Sequence, residues 1–196
     1  MTKPPSPRQP PPAPESAEEI TRHHVDGLAR ASKDLRWHSL AKSSHVDVGL
    51  EQRIARRAAD GLGGGFVMAD KTSPAFRLSI SEAGVSTFLQ FGFSTCSPER
   101  TLELAGDEPL GDFESIRSLW QRTSPPTSSF FTKPTVPPAQ GDCIEAAIRA
   151  NGDVSIRLRD EDAPRTYGFH FDGDVDLYPF LVLLDEACAV ELAPVE

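Results

Sequence analysis

The chain has 196 residues, of which 38% are hydrophobic and 25% are charged, and it contains 18 prolines. This composition is typical of a soluble globular protein, and the prolines argue against a mainly helical fold. The net charge of −9 predicts repulsion of nucleic acid, and no apolar run approaches the roughly 20 residues that span a bilayer.

The cysteines and the N-terminus bear on the cellular compartment. Cys96, Cys143 and Cys188 are far apart and odd in number, which favours neither a disulfide framework nor a zinc site. The N-terminus lacks an apolar signal-peptide core. We therefore expect a cytoplasmic protein with reduced thiols and no transmembrane segment.

Residues 1–31 are rich in proline and poor in apolar side chains. This composition predicts a disordered tail. The Pro10-Pro11-Pro12 run is either a plain solvated leader or a polyproline ligand for an aromatic groove. The folded domain is then expected over residues 32–196.

Residues 51–59 contain strong helix formers, and propensity alone predicts a helix that ends at the glycines of positions 61–65. Those glycines lack the Lys-Ser/Thr of a phosphate loop and are interpreted as a turn. The chain beyond consists of short segments rich in β-branched or aromatic residues between Gly, Pro, Asp and Ser. This pattern predicts an all-β antiparallel sandwich, with strands at 66–68, 75–80, 85–94, 142–149, 154–159, 166–171, 178–184 and 188–192.

Three of these segments carry more detailed predictions. The run from Phe88 to Pro98 reads as a buried strand that ends abruptly, with Gly92 permitting close backbone packing. Apolar and polar residues alternate on both sides of Asn151-Gly152, which predicts a hairpin whose loop extends by a residue or two beyond that pair. Residues 178–184 are nearly all apolar, so we expect a central strand with both faces covered.

Residues 122–140 contain five prolines among serines and threonines, which predicts a long loop. Within it, the adjacent Phe130 and Phe131 are either a mobile apolar anchor for a partner or a staple that pins the loop to the sandwich.

The polar motifs do not assemble into a catalytic or metal site. Asp172, Asp174 and Asp176 imitate the start of a calcium loop, but Leu177 stands where a glycine is needed and Leu183 where a bidentate Glu is needed. No nucleophile elbow organises the Ser, His and Asp residues. We expect no catalytic residue, no metal and no cofactor, and we expect His38 to pack or to bond to the backbone.

Four blocks, in order, resemble the neuralized homology repeat (NHR) of neuralized-type ubiquitin ligases and related adaptors. Residues 35–46 resemble the family's opening aromatic, His and extended strand. Ala-Arg-Arg at 55–57 and Gly-Phe-Val-Met-Ala-Asp at 65–70 are similar to its Ala-x-Arg and Val-Phe-Ser-Asp block. Leu-Gln-Phe-Gly-Phe-Ser-Thr at 89–95, followed by Pro98, looks like its Leu-Arg-Phe-Gly-hydrophobic-Thr block.

The fourth block begins at Trp120, passes through the Asn151-Gly152 hairpin and ends with Leu-Tyr-Pro-Phe-Leu-Val-Leu at 177–183. The resemblance spans about residues 35–193. It implies a SPRY-like or jelly-roll-like sandwich, and it implies an extended segment rather than a helix at residues 51–59.

The resemblance also implies partners that a cationic surface would recognise. Lys42, Arg53, Arg56 and Arg57 lie in a locally basic segment of an acidic chain. They are either a solvated face or a docking surface for an acidic peptide or a phosphoinositide headgroup, both of which arginine binds through bidentate contacts.

The sequence thus predicts a non-catalytic protein-interaction module linked to ubiquitin signalling. Three scattered cysteines cannot build a RING, and the four residues after Leu192 leave no room for a cullin-recruiting box, so we expect an adaptor that acts in trans. The alternatives are a sandwich-fold hydrolase or lectin-like carbohydrate binder with convergent carboxylates, and a degenerate copy with no retained ligand.

Overall fold

Two antiparallel sheets pack face to face in the computed structural model, which describes residues 15–58, 64–83, 88–158, 161–184 and 188–195. The predicted antiparallel β-sandwich is confirmed. The strands of the described residues are β1 (Trp37–Lys42), β2 (Val46–Gly49), β3 (Ile54–Arg57), β4 (Gly65–Ala69), β5 (Ala75–Glu82), β6 (Leu89–Ser94), β7 (Ser129–Thr132), β8 (Cys143–Ile148), β9 (Asp153–Leu158), β10 (Arg165–His170), β11 (Tyr178–Leu183) and β12 (Ala189–Ala193).

The strand order is β1-β4-β11-β6-β7 in one sheet and β10-β9-β8-β5-β12-β3-β2 in the other. The core lies between the sheets, where the Phe76 ring is 5.0 Å from that of Phe93 and 6.3 Å from that of Phe91, measured between centroids. Trp37 and Leu181 are fully buried in the same core. Side chains that alternate along each strand thus supply one inward face per sheet.

The central strand β11 is buried on both faces, as its apolar sequence predicts. It pairs with β4 on one side and β6 on the other. Leu181 and Leu183 point into the core between the sheets, whereas Phe180 and Val182 point to the outer face. A strand of this kind needs a cover on the outer face of its sheet.

Helices α2 (Pro98–Ala105) and α3 (Phe113–Gln121) supply that cover. Pro98, four residues after the end of β6, is the first residue of α2, where its missing N–H leaves no intrahelical hydrogen bond unmade. Trp120 of α3 is buried against Phe66 and Phe180, and its indole N–H donates to the Thr101 hydroxyl at 3.0 Å. The sequence did not reveal these two helices, because each is only two turns long.

The predicted hairpin is formed by β8 and β9, with Ile144 opposite Leu158 and Ile148 opposite Val154. Its loop comprises residues 150–152, since the Arg149 N–H donates to the Asp153 carbonyl at 2.9 Å. Gly152 has a φ of +88°, which suits the left-handed position of a three-residue hairpin loop. The expectation that the loop extends beyond Asn-Gly is confirmed.

Residues 54–57 form the strand β3, so the helix predicted from propensity at 51–59 is wrong and the extended conformation implied by the resemblance is right. Pairing with β2 and β12 overrides a weak local preference. Residue 59 and the glycines at 61–63 lie outside the described residues. The predicted strand at 85–94 begins at Leu89, and residues 84–87 also lie outside the description.

Part of the predicted disordered tail is a helix, α1 (Ala17–Leu28), which packs on the outer face of the seven-stranded sheet. Ser16 and Glu19 form a capping box at its start. His24, Gly27 and Leu28 are buried. The apolar part of this face is small, and it packs against Ala147 of the sheet. Residues 1–14, including Pro10-Pro11-Pro12, lie outside the described residues, so their disorder stays a prediction.

A buried polar cluster lies beneath α1. Both carboxylate oxygens of Glu145, which is 5% exposed, are bound by arginines: Oε1 by Arg77 Nη2 at 2.7 Å and Oε2 by Arg157 Nη2 at 2.6 Å. The His24 ring lies between Glu145 Oε2, at 3.6 Å from Nε2, and the Ser155 hydroxyl, at 2.8 Å from Nδ1. Burial raises the pKa of Glu145, but the contacts with His24 and the two arginines outweigh it and lower the pKa to about 2.

None of the helices in the described ranges is long and apolar enough to cross a membrane.

Candidate peptide-binding groove

A groove of about 540 Å³ opens at the end of the sandwich where β8 and β10 begin and β9 ends. The segment 133–142, which connects β7 to β8, forms the facing wall. We call this cavity the Pro134–Pro138 groove. Its apolar lining comprises Pro134, Val136, Pro138, Ile144 and Leu158, and its polar lining comprises Thr135, Asp142, Glu161 and Arg165.

The wall formed by segment 133–142 is anchored at its far end. The Gly141 N–H donates to the Ile80 carbonyl at 2.8 Å, and the Ile80 N–H donates to the Asp142 carbonyl at 3.0 Å. Gly141 adopts a φ of +88°, which favours glycine at this bend. These two bonds hold the end of the wall on β5.

The charged groups at the rim are engaged with their neighbours. Arg165 Nη2 lies 2.6 Å from Glu161 Oε1, and Asp142 Oδ2 accepts from the Ala139 N–H at 2.6 Å. An apolar floor with a polar rim whose groups already contact their neighbours suits an apolar side chain presented by a peptide.

A second cavity, of about 590 Å³, lies beyond the end of β6 and is lined mainly by hydroxyl-bearing residues. These hydroxyls bond within the protein: Thr123 Oγ1 lies 3.0 Å from Thr127 Oγ1, and Thr95 Oγ1 accepts from the Ser128 N–H at 3.0 Å. Several polar groups that line this cavity are thus already engaged within the protein. The Pro134–Pro138 groove is the better candidate for an apolar ligand group, because most of its lining residues are apolar.

Phe130 and Phe131 lie on β7, which interrupts the long loop predicted at 122–140. Phe130 is 8% exposed, and its ring centroid is 5.4 Å from that of Tyr167 on β10. Phe131 points to the opposite face, 5.1 Å from the Phe113 ring and 5.7 Å beneath the Arg117 guanidinium. The pair packs β7 between two layers, as the staple interpretation predicts, and a binding role for Phe130 or Phe131 stays a prediction.

The four predicted cationic residues do not form one exposed surface. Arg57 is 6% exposed and donates from Nη1 to the Leu184 carbonyl. Lys42 is half-buried, with Nζ 2.6 Å from the Val46 carbonyl.

The remaining two cationic residues differ from each other in setting. Arg56 is exposed and pairs with Glu82, Nη2 to Oε1, at 2.5 Å. Arg53 is half-buried in the turn before β3. Successive side chains of β3 point to opposite faces, and Lys42 and Arg57 donate to nearby backbone carbonyls, so the four residues do not form one surface. A binding role for Arg53 or Arg56 stays a prediction.

Two of the histidines, His38 and His170, make local contacts. His38 Nδ1 accepts from the backbone N–H groups of Leu40 at 3.1 Å and Ala41 at 2.9 Å, which confirms the expected backbone bond. His170 Nε2 lies 3.5 Å from the exposed Asp172. Among the described residues, no group of three or more His, Cys, Asp or Glu side chains is placed to hold a metal ion.

Sequence reasoning missed the residues of the Pro134–Pro138 groove. The signal that could have found them is the proline content of 134–138, because consecutive prolines keep a connection extended and expose neighbouring apolar side chains. Val136, at 59% exposed, is such a side chain.

Solved structures with this architecture were found by comparison. The neuralized NHR1 domain of Drosophila melanogaster superimposes with a TM-score of 0.56 at 14% identity, covering 81% of this chain and 97% of that one. The NEUZ (NHR) domain of Neuralized from the same organism gives 0.58 at 12% identity, covering 82% and 91%. The PSpry domain of TRIM65 gives 0.51 at 14% identity, covering 85% and 95%. A scan of family models and a search of curated proteins found no match.

These likenesses establish the fold class. The chain has the two-sheet antiparallel sandwich of the NHR and SPRY domains, as the sequence resemblance implied. At identities of this size they establish the fold alone.

Proposed function

We propose that this chain is a non-catalytic protein-interaction module that binds a peptide segment of a partner in the Pro134–Pro138 groove. The observation that carries the proposal is the groove itself: an apolar floor, a wall whose end is held on β5 by backbone hydrogen bonds, and a rim in which Arg165 pairs with Glu161. Such a site favours an apolar anchor residue in an otherwise extended peptide.

The NHR resemblance extends the proposal to ubiquitin signalling, with this domain reading a substrate or partner as an adaptor in trans. The scattered cysteines support a cytoplasmic setting. A protein partner is favoured over a phosphoinositide headgroup because Lys42 and Arg57 donate to backbone carbonyls and Arg56 is ion-paired. An anionic headgroup would have to displace these contacts.

The proposal is tested by selecting ligands from a phage-displayed library of random peptides and measuring their affinity by fluorescence anisotropy. We expect Val136→Glu to weaken the selected peptides by about tenfold or more, because it places an unpaired charge beside the apolar floor. Leu40→Glu is the matched control, since Leu40 is similarly exposed (67%) on β1.

The control variant should bind like the wild type. Equal affinity of the selected peptides for the wild type and both variants would contradict the assignment of the groove, and a library that yields no ligand would contradict the proposed function itself.

A further inference from the structure

A further groove, of about 330 Å³, lies between α2 and α3 on the outer side of the five-stranded sheet, and its lining combines apolar side chains with the polar residues Glu108 and Ser115. Its lining includes Leu104 and Ala105 of α2, Ile116 and Leu119 of α3, and Pro109 of the connecting segment. Ile116 is fully buried at the base, whereas Leu104 and Leu119 are only partly buried on the flanks. The two helices thus leave an apolar seam with no third element over it in the described part of the chain.

The groove is held open by the connection between the helices. The fully buried Ser43 donates from Oγ to the Gly111 carbonyl at 2.5 Å, and its backbone forms a bridge with Leu110. The Asp112 carboxylate caps α3 by accepting from the Ser115 N–H at 2.9 Å. A connection fixed at both points sets the spacing of the helices before a partner binds.

The mouth of the groove carries negative charge that the structure leaves uncompensated. Along the helices, Arg100 pairs with Glu103 at 2.8 Å and Arg117 pairs with Glu114 at 2.9 Å. Asp107 and Glu108, in the connecting segment, are exposed and form no ion pair among the described residues. A cationic partner would therefore meet an attractive field here.

Self-association through this groove is disfavoured by the same charges. Two copies would bring two acidic rims together in a chain whose net charge is −9. The occupant that fits both the apolar seam and the rim is a separate, basic segment.

We infer that the α2–α3 groove binds a short, basic amphipathic helix of a partner protein. Helices of eight and nine residues are about 12–14 Å long, which matches roughly two turns of a third helix. The seam then accepts two apolar side chains spaced i and i+4 from that helix, while its Lys or Arg residues lie beside Asp107 and Glu108. This site is independent of the Pro134–Pro138 groove and would give an adaptor its second binding surface.

The probe is a synthetic helical peptide of about 14 residues with two leucines at i and i+4 and lysines beside them. A peptide of the same composition with its leucines at i and i+2, on different helix faces, serves as the comparison. We expect fluorescence anisotropy to show binding of the first peptide that is tighter than about 1 mM and weakens as salt is raised. The second peptide should bind at least about tenfold more weakly.

Variants locate the contact. Asp107→Lys combined with Glu108→Lys should weaken binding by about tenfold or more, and so should Leu119→Gln. Glu18→Lys combined with Asp26→Lys makes the same change in net charge on exposed positions of α1 and should leave binding intact. Val136→Glu should also leave it intact, so this inference and the proposed function can fail separately.

Two results would overturn the inference. One is unchanged affinity in the Asp107/Glu108 double variant and in Leu119→Gln, with folding verified by circular dichroism. The other is the absence of any binding of the i, i+4 peptide to the wild type below about 1 mM.

Discussion

Gly92 lies in β6 between two paired neighbours, Phe180 on β11 and Phe131 on β7. A Cβ atom at this position would lie 1.8 Å from the Phe130 carbonyl oxygen, which belongs to the backbone and cannot rotate away. The close approach of β7 to β6 therefore depends on the missing side chain.

We predict that Gly92→Ala destabilises the protein by about 2 kcal/mol or more, since β7 would have to shift away from the sheet. Urea unfolding followed by circular dichroism measures the change. Gly168→Ala on β10 is the control, because a Cβ there meets nothing within 4 Å. Equal stability of the two variants would show that β7 does not pack as described.

Glu145 makes stability depend on pH. Its pKa is about 2 in the folded protein and 4.5 for an ordinary Glu. A lowered pKa stabilises the fold above the unfolded value, and that contribution is lost as the pH falls through the folded value.

We therefore predict that Glu145→Gln lowers the free energy of unfolding near neutral pH, and that the difference from the wild type narrows by about 2 kcal/mol between about pH 6 and about pH 3. Urea titrations at a series of pH values measure it. Glu18→Gln, at an exposed position on α1, should have nearly the same free energy of unfolding as the wild type at every pH in the series. A pH-independent cost of Glu145→Gln would mean that the carboxylate is not held by its arginines.

At the scale of elements, α1 shows how a helix with little apolar surface can still dock. Gly27 lets it approach closely, since a Cβ there would lie 2.9 Å from Ala147 Cβ and 3.2 Å from the Ile148 carbonyl oxygen. Arg149 is 2% exposed and binds Glu15 ahead of the helix, while its Nη2 lies 2.9 Å from His23 Nδ1. Polar contacts thus hold a segment that its composition assigns to a tail.

Leu28→Ala should cost about 2 kcal/mol, because Leu28 is 6% exposed against the sheet. Val25→Ala, at a position on the same helix that is 52% exposed, should be close to neutral. Chemical unfolding of both variants compares them directly. If Leu28→Ala were as neutral as Val25→Ala, α1 would not be docked.

At the scale of the whole molecule, the sequence predicted the strands whose apolar residues follow a regular pattern. It did not predict the elements that are stabilised by contacts between distant segments. Alternation around Asn151-Gly152 and the apolar run at 178–184 predicted β8, β9 and β11, because a half-buried or fully buried strand imposes its period on the sequence. The short helices α2 and α3 lack a long enough period and are stabilised by the sheet beneath them.

The candidate site was less predictable than the fold. A local excess of arginine predicted a docking surface at residues 42–57, yet Arg57 is buried in the structure because a strand turns alternate residues inward. The Pro134–Pro138 groove joins a connecting segment to Leu158 and Arg165, which only the register of β8, β9 and β10 brings together. Neither composition nor spacing contains that information.

The most direct test of the proposed recognition site is hydrogen–deuterium exchange, measured by mass spectrometry, on the protein with and without a library-selected peptide. We predict slower exchange of the bound protein in segments 135–144 and 161–168, which line the Pro134–Pro138 groove. Protection confined to residues 42–57, with the groove segments unchanged, would contradict the account and return the binding site to the basic segment.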